Sequence, residues 1–188
     1  MHFHGDQSVL ANSIGRFKVV TTVSDSLYRA TSMDCTVLIP GTGNKVSTYR
    51  VRWRIKGATR MDMKSSDGTE HTLWTSDPAK PPSFIWQPAM ELMTPTVLAR
   101  NMEQRYRLMK TMRQDGAESS EFLLVGSEDQ QRIEIAVDGR TYLPKTLIKY
   151  SQDSGQTNED GKCLIEARFK WNQPIARDLL VPGFHDAQ

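Results

Sequence analysis

The side chains that could do chemistry are few and scattered. Four histidines occur: His2, His4, His71 and His185. Two sit at the start of the chain and one near its end, where order is least expected. His2-x-His4 has the form of a metal clip, but a terminal tail is the simpler reading. His71 falls in a short strand and reads as an ordinary strand histidine. The chain carries no GxSxG elbow, phosphate-cradling glycine loop, dinucleotide fingerprint or HExxH helix. Asp62, Glu134 and Glu166 alternate with apolar residues and have Arg60, Arg132 and Arg168 beside them. Such carboxylates fit cross-strand ion pairs on a solvated face better than acid–base work. The expectation is a protein that is not an enzyme and has no metal or other cofactor.

Two cysteines, Cys35 and Cys163, have no zinc-ligand spacing. They make one bridge in an oxidising compartment, or stay two buried thiols; the spacing leaves both open.

What remains is apolar chemistry. In YRVRWRIK, residues 49–56, Tyr49, Val51, Trp53 and Ile55 alternate with Arg50, Arg52, Arg54 and Lys56. Cations interleaved with aromatics suit nucleic acid, but the same letters suit a strand with one greasy face. Charge separates the two: 24 Lys and Arg stand against 22 Asp and Glu, a net of +2 with pI near 8.5. A phosphate-binding surface calls for a larger excess, so no nucleic-acid partner is expected. Nine methionines are present. Met33, Met61, Met63, Met102 and Met109 fall at inward positions, with Trp53, Trp86 and Trp171 among the aromatics. Flexible thioethers of this kind suit an adaptable cavity as well as a filled core.

The elements that must position these residues follow from periodicity. Alternation marks strands at 27–39, 49–56, 60–64 and EHTLWT, separated by PGTGN, KGAT and SSDG turns. Three prolines in SDPAKPP interrupt pairing. A helix over 94–112 comes next, with Thr94 as N-cap and Pro95 at its first position. It places Leu98, Met102, Tyr106 and Met109 on one face. Strands resume at EFLLVG, RIEIAVD, KTLIKYS and CLIEARFKW, where Ile133 and Ile135 share a face, as do Phe169 and Trp171. Residues 1–26 are expected to be a tail with a short helix between Gln7 and Val23 that packs on the sheet. Residues 27–183 are expected to form one domain. The fold class is mainly β with α: a curved antiparallel sheet covered by one or two helices.

The segment AVDGRTYLPKTLIKYSQDSG, then FKWNQPI and LLVPG, resembles the closing part of the LolA/LolB-like lipoprotein-carrier superfamily. That superfamily includes the lipoprotein-sensing domain of the periplasmic sigma-E regulator. The shared pattern runs through Asp138, Thr141, Leu143 and Pro144, then Asp153 and Gly155, then Phe169, Asn172 and Pro182. The hairpin YRVRWRIKGATRMDMKSSDG is similar to the superfamily's extended strands.

The resemblance implies a half-open antiparallel barrel, closed by helices, whose hydrophobic cavity takes lipid or lipoprotein acyl chains. In this chain the cavity set would be Tyr49, Val51, Trp53, Ile55, Met61, Met63, Ile133, Ile135, Phe169 and Trp171. Leu98, Met102, Tyr106 and Met109 would form a lid. PPSFIW, residues 81–86, is the candidate for the apolar loop that LolB-type acceptors push into membrane. The implied partners are acyl chains and a membrane-bound donor, receptor or regulator protein. The implied location is periplasmic or otherwise extracytoplasmic, with the signal or anchor segment absent from this chain. Two alternatives stand beside that reading. One is a protein-interaction domain with a filled core, and the other an enzyme holding a small hydrophobic substrate on the same fold.

Overall fold

The computed structural model describes residues 6–42, 45–75, 87–115, 120–151, 161–176 and 178–180. Helix α1 (Asp6–Tyr28) leads into a meander of β1 (Ser32–Pro40), β2 (Val46–Arg54), β3 (Thr59–Lys64) and β4 (Glu70–Thr75). Two helices follow, α2 (Gln87–Met90) and α3 (Pro95–Gln104). A second meander then runs through β5 (Arg107–Asp115), β6 (Ser120–Glu128), β7 (Gln131–Asp138), β8 (Pro144–Ser151) and β9 (Cys163–Trp171). The nine strands make one sheet in the order β4-β3-β2-β1-β9-β8-β7-β6-β5, antiparallel throughout. The chain therefore starts at the centre, builds out to one edge, and crosses by α2 and α3 to the other edge. It returns to the centre as β9, beside β1. The edges β4 and β5 do not pair with each other, so the barrel stays half open.

Side-chain alternation sorts the two faces. Met33, Cys35 and Val37 of β1 lie opposite Trp171, Phe169 and Ala167 of β9 on one side and Trp53, Val51 and Tyr49 of β2 on the other. With Met61, Ile133, Ile135, Val137 and Leu147 they join one buried cluster that Leu92, Met93, Leu98 and Met102 cover from the helical layer. The outer face is a ladder of ion pairs. Arg50 donates to Asp34 (2.7 Å), and Arg52 and Arg60 share Asp62 (2.6 and 2.8 Å). Arg168 donates to Glu166 (2.6 Å), and Arg132 pairs with Glu134. All three expected carboxylates, Asp62, Glu134 and Glu166, are ion-paired on the outer face, but of their pairs only Arg52–Asp62 crosses strands. Glu134 and Glu166 pair instead with Arg132 and Arg168 two residues along their own strands. The arginine face of β2 is engaged with acids of β1 and β3.

Two of the positions that carry the resemblance, Asp138 and Asn172, have a physical reason to be there, whereas Asp153, Gly155 and Pro182 lie outside the described residues. Asp138 accepts from the Arg140 and Thr141 backbone amides (3.1 and 2.7 Å) and from the Thr141 hydroxyl (2.8 Å). This network closes the β7–β8 turn, where Tyr142 adopts a positive φ of 55°. Asn172, also at φ 55°, accepts from the Thr31 amide and hydroxyl (2.9 and 3.1 Å). It thereby ties the end of β9 to the start of β1.

Four expectations need correction. The N-terminal helix is not short: it has 23 residues, runs to Tyr28, and buries Val23 and Leu27 in the core. Leu27 is thus helical and β1 begins only at Ser32, so residues 6–26 all belong to this helix, while residues 1–5 lie outside the described residues. The helix expected over 94–112 ends at Gln104. Thr94 caps it as expected, accepting from the Val97 amide (3.2 Å), with Pro95 following. Past the Arg105 cap, however, the chain pairs with β6 as strand β5, because β6 offers a full ladder of backbone partners. Met109 is therefore in a strand, at a bulge between Leu108 and Lys110, and cannot belong to a helical lid. Ile55 lies beyond the end of β2, in a turn, and is 50% exposed; the alternation it continues in sequence has no strand beneath it.

The bulge explains a glycine. Gly126 lies opposite Leu108, where a Cβ would come 2.7 Å from the Arg107 carbonyl oxygen and 2.8 Å from the Leu108 Cα. The two cysteines are free. Cys35 faces Phe169, six residues along β9 from Cys163. That is about 20 Å at strand rise, too far for a bridge. Burial, with Asp34 adding, pushes the Cys35 thiol well above its usual range, so it stays protonated.

Candidate functional site

The residues expected to line a cavity divide by exposure. Val51, Met61, Ile133 and Ile135 have no exposed surface, and Tyr49, Met63 and Phe169 have less than a tenth. Trp53 and Trp171 are partly buried against the same cluster. The Trp171 ring stacks on Phe169 (centroids 5.4 Å apart), and its indole N–H donates to the Pro144 carbonyl. Nine of the ten therefore share the inner face and pack there among helix residues, while Ile55 is the tenth and lies outside. Of the expected lid, Leu98 and Met102 are buried on α3, and Tyr106 is buried just after it. The side chain of Met109 and the PPSFIW segment lie outside the described residues.

An open groove lies instead at the seam of α1, α3 and β5. Its volume is about 440 Å³, within the usual size of a small-ligand site. Helix α1 contributes Phe17, Val20, Thr21, Ser24 and Asp25, which recur at helical spacing and so share one face. Met102 and Glu103 come from α3, Tyr106 from the corner after it, and Leu108 from β5. Phe17 is 75% exposed at the rim, where Thr21, Asp25 and Glu103 are exposed too. The deeper wall is Val20, Ser24, Met102 and Tyr106.

The hydroxyls of this wall differ in state. Thr21 donates to the Phe17 carbonyl (2.9 Å), as a helical threonine does. Ser24 and Tyr106 are nearly sealed, 3% and 4% exposed; neither O–H has an acceptor, and the Asn101 side chain lies close enough to the Tyr106 oxygen to interact with it as a donor. The neighbouring Asn101 carboxamide donates to the Glu91 carbonyl (3.0 Å). Burial pushes the Tyr106 phenol far above its usual range, and the Glu91 and Glu128 carboxylates add to the shift.

Tyr106 also borders a buried charge cluster. Lys149 Nζ lies 5.3 Å from the centre of its ring. Lys149 points inward on β8, alternating with Leu147, and pairs with Glu91 and with Glu128 (2.8 Å). Arg105 completes the set, 2.7 Å from Glu128 and 3.8 Å from Glu91. Two cations and two carboxylates form ion pairs here, although Glu128 Oε1 gains no well-aligned hydrogen bond, and Lys149 and Glu128 are both buried. Sequence reasoning passed over this cluster, although strand alternation places Lys149 with Leu147 and Glu128 with Leu124. It also passed over the groove, whose α1 wall carries only a weak apolar signal. Among the described residues no group of three His, Cys, Asp or Glu could hold a metal ion, and no helix is long and apolar enough to cross a membrane.

No family model matches the chain, and no curated protein matches it. Solved structures do. One is a crystal structure of MucB: TM-score 0.57 and 16% identity over 91% of this chain and 64% of that one. A second is the Pseudomonas aeruginosa MucA/MucB complex: TM-score 0.53 and 16% identity over 90% of this chain and 61% of that one. A third is LprF from Mycobacterium bovis: TM-score 0.54 and 8% identity over 87% of this chain and 95% of that one. The chain thus spans less than two thirds of the MucB chains it resembles. At these identities the likeness is one of fold alone: a half-open antiparallel sheet covered by helices.

Proposed function

We propose that this chain is an extracytoplasmic binding module for lipids or lipid-modified proteins, acting as a carrier or as the sensor of an envelope regulator. The observation that carries the reading is the 440 Å³ groove between α1 and α3, walled by Val20, Met102, Tyr106 and Leu108 and open at Phe17. An acyl chain suits such a groove, since each buried methylene contributes about 0.8 kcal/mol and needs no specific partner. The reading assigns no catalytic step.

Native mass spectrometry of the protein as purified, followed by organic extraction, tests this. A co-purifying lipid or acylated species is expected. It should be lost in Thr21→Trp, which fills the groove from an exposed position without touching the core. A ligand retained by that variant would place the site elsewhere.

A second reading has its own support. The inner face is packed by side chains of the chain itself, and MucB has been solved in complex with MucA. A protein that purifies empty and takes up no fluorescent fatty-acid probe would favour a protein-interaction domain.

A further inference from the structure

The chemistry of the groove narrows what its occupant must be. Its deep wall holds two buried hydroxyls, Ser24 and Tyr106, whose O–H groups have no acceptor. Leaving a buried hydroxyl unpaired is costly, so two in one wall need an explanation. Both can donate, and a carbonyl oxygen has two lone pairs to accept them. The charged residues that line the groove are Asp25 and Glu103, both acidic. The nearby cations Lys149 and Arg105 are engaged by Glu91 and Glu128 and leave no net positive charge to offset them.

Resting on the lipid-binding reading above, we infer that the groove takes an acyl chain in ester or amide linkage, its carbonyl accepting from Ser24 and Tyr106. The free fatty-acid anion is disfavoured, because its carboxylate would enter past Asp25 and Glu103. Both hydroxyl oxygens are closed to water, so a side chain must give way as the carbonyl arrives. Met102, unbranched and in the same wall, is suited to do so.

The test compares methyl decanoate, decanoate and decane at neutral pH by native mass spectrometry and calorimetry. It uses the whole chain and the variants Ser24→Ala and Tyr106→Phe. Methyl decanoate is expected to bind more tightly than decanoate. Each variant should weaken the ester about three- to tenfold, the worth of one hydrogen bond, and leave decane unchanged. The variants should melt no lower than the parent without ligand, since each removes an unpaired hydroxyl; this separates lost recognition from lost folding.

Decane and ester binding with no sensitivity to either variant would overturn the carbonyl site and leave the lipid-binding reading standing. Decanoate binding more tightly than its ester would overturn the inference likewise. Failure of all three probes would overturn both. An ester-linked lysophospholipid against an N-decanoyl peptide then tells a membrane lipid from an acylated protein, and preference for either supports the carbonyl site.

Discussion

Replacing Lys149 by methionine should destabilise the protein by about 3–5 kcal/mol, although the new side chain is apolar and of similar length. Lys149 is 4% exposed on the inner face and faces two carboxylates, of which Glu128 is itself only 7% exposed. Removing the ammonium leaves Glu128 buried with only Arg105 beside it, and Arg105 is 46% exposed. The penalty is therefore that of a buried carboxylate stripped of its better partner. For a chain of this length the melting temperature should fall by about 6–20 °C. Urea unfolding followed by circular dichroism measures it, with calorimetry as a check. The double variant Lys149→Met with Glu128→Leu supplies the control. It removes the stranded charge, while Glu91 keeps Arg105 and a partly exposed position, so stability should return to within about 2 kcal/mol of the parent. A single variant costing under about 1 kcal/mol would mean that water reaches the cluster and the argument from burial fails. A double variant no better than the single would refute the role given to Glu128.

Three further outcomes follow from particular contacts. Gly126→Ala should destabilise by about 1–3 kcal/mol, because its Cβ meets the β5 backbone at the bulge, at 2.7 Å from the Arg107 oxygen, and not a side chain that can move; urea midpoints report it. Asp138 is held below the usual carboxylate range, first by the Thr141 amide and further by the Thr141 hydroxyl and the Arg140 amide. A depressed folded value means this support is complete above the ordinary carboxylate pKa and lost as pH falls through the lowered one. Asp138→Ala should thus cost roughly 1 kcal/mol near neutrality and nothing in strong acid, seen by comparing unfolding midpoints across pH. Ile55→Asp should change stability by less than about 0.5 kcal/mol, whereas Val51→Asp, at a position with no exposure, should abolish folding. Equal effects of the two on the yield of folded protein would contradict the register of β2.

Strand pattern was legible where one face is sealed and the other solvated. β2, β3, β7 and β9 alternate so regularly that both the inner set and the ion pairs of Asp62, Glu134 and Glu166 could be placed from the letters. The α3 start was equally legible, because Thr94 and Pro95 act locally. What failed was decided at a distance. Residues 107–112 keep an apolar spacing compatible with helix, and only the ladder offered by β6 makes them a strand. Helix α1 contains the run VVTTV, whose β-branched residues weaken any local preference for helix, so packing of Val23 and Leu27 into the core has to stabilise it.

The same division explains why the groove was not found where the apolar residues are densest. Alternating strands supply a greasy face, and the sheet's crossover from β4 to β5 necessarily lays α2 and α3 over it. Leu92, Met93, Leu98 and Met102 then fill the space that the strands enclose. Among the described residues an opening persists where one helix serves two neighbours at once. Helix α1 is that element: Val23 and Leu27 turn to the core, while Val20, Ser24 and Phe17 turn toward α3 and β5. A helix with one strongly apolar face would close the seam, whereas one carrying serine, threonine and aspartate at the matching positions leaves it open. The mixed face that hid α1 from periodicity is thus the feature that makes it a wall of the groove. Filling that face with leucine at the exposed Thr21 should stabilise the fold and abolish ligand uptake together. A variant that gained stability yet still bound an acyl ester would break this link between sequence pattern and site.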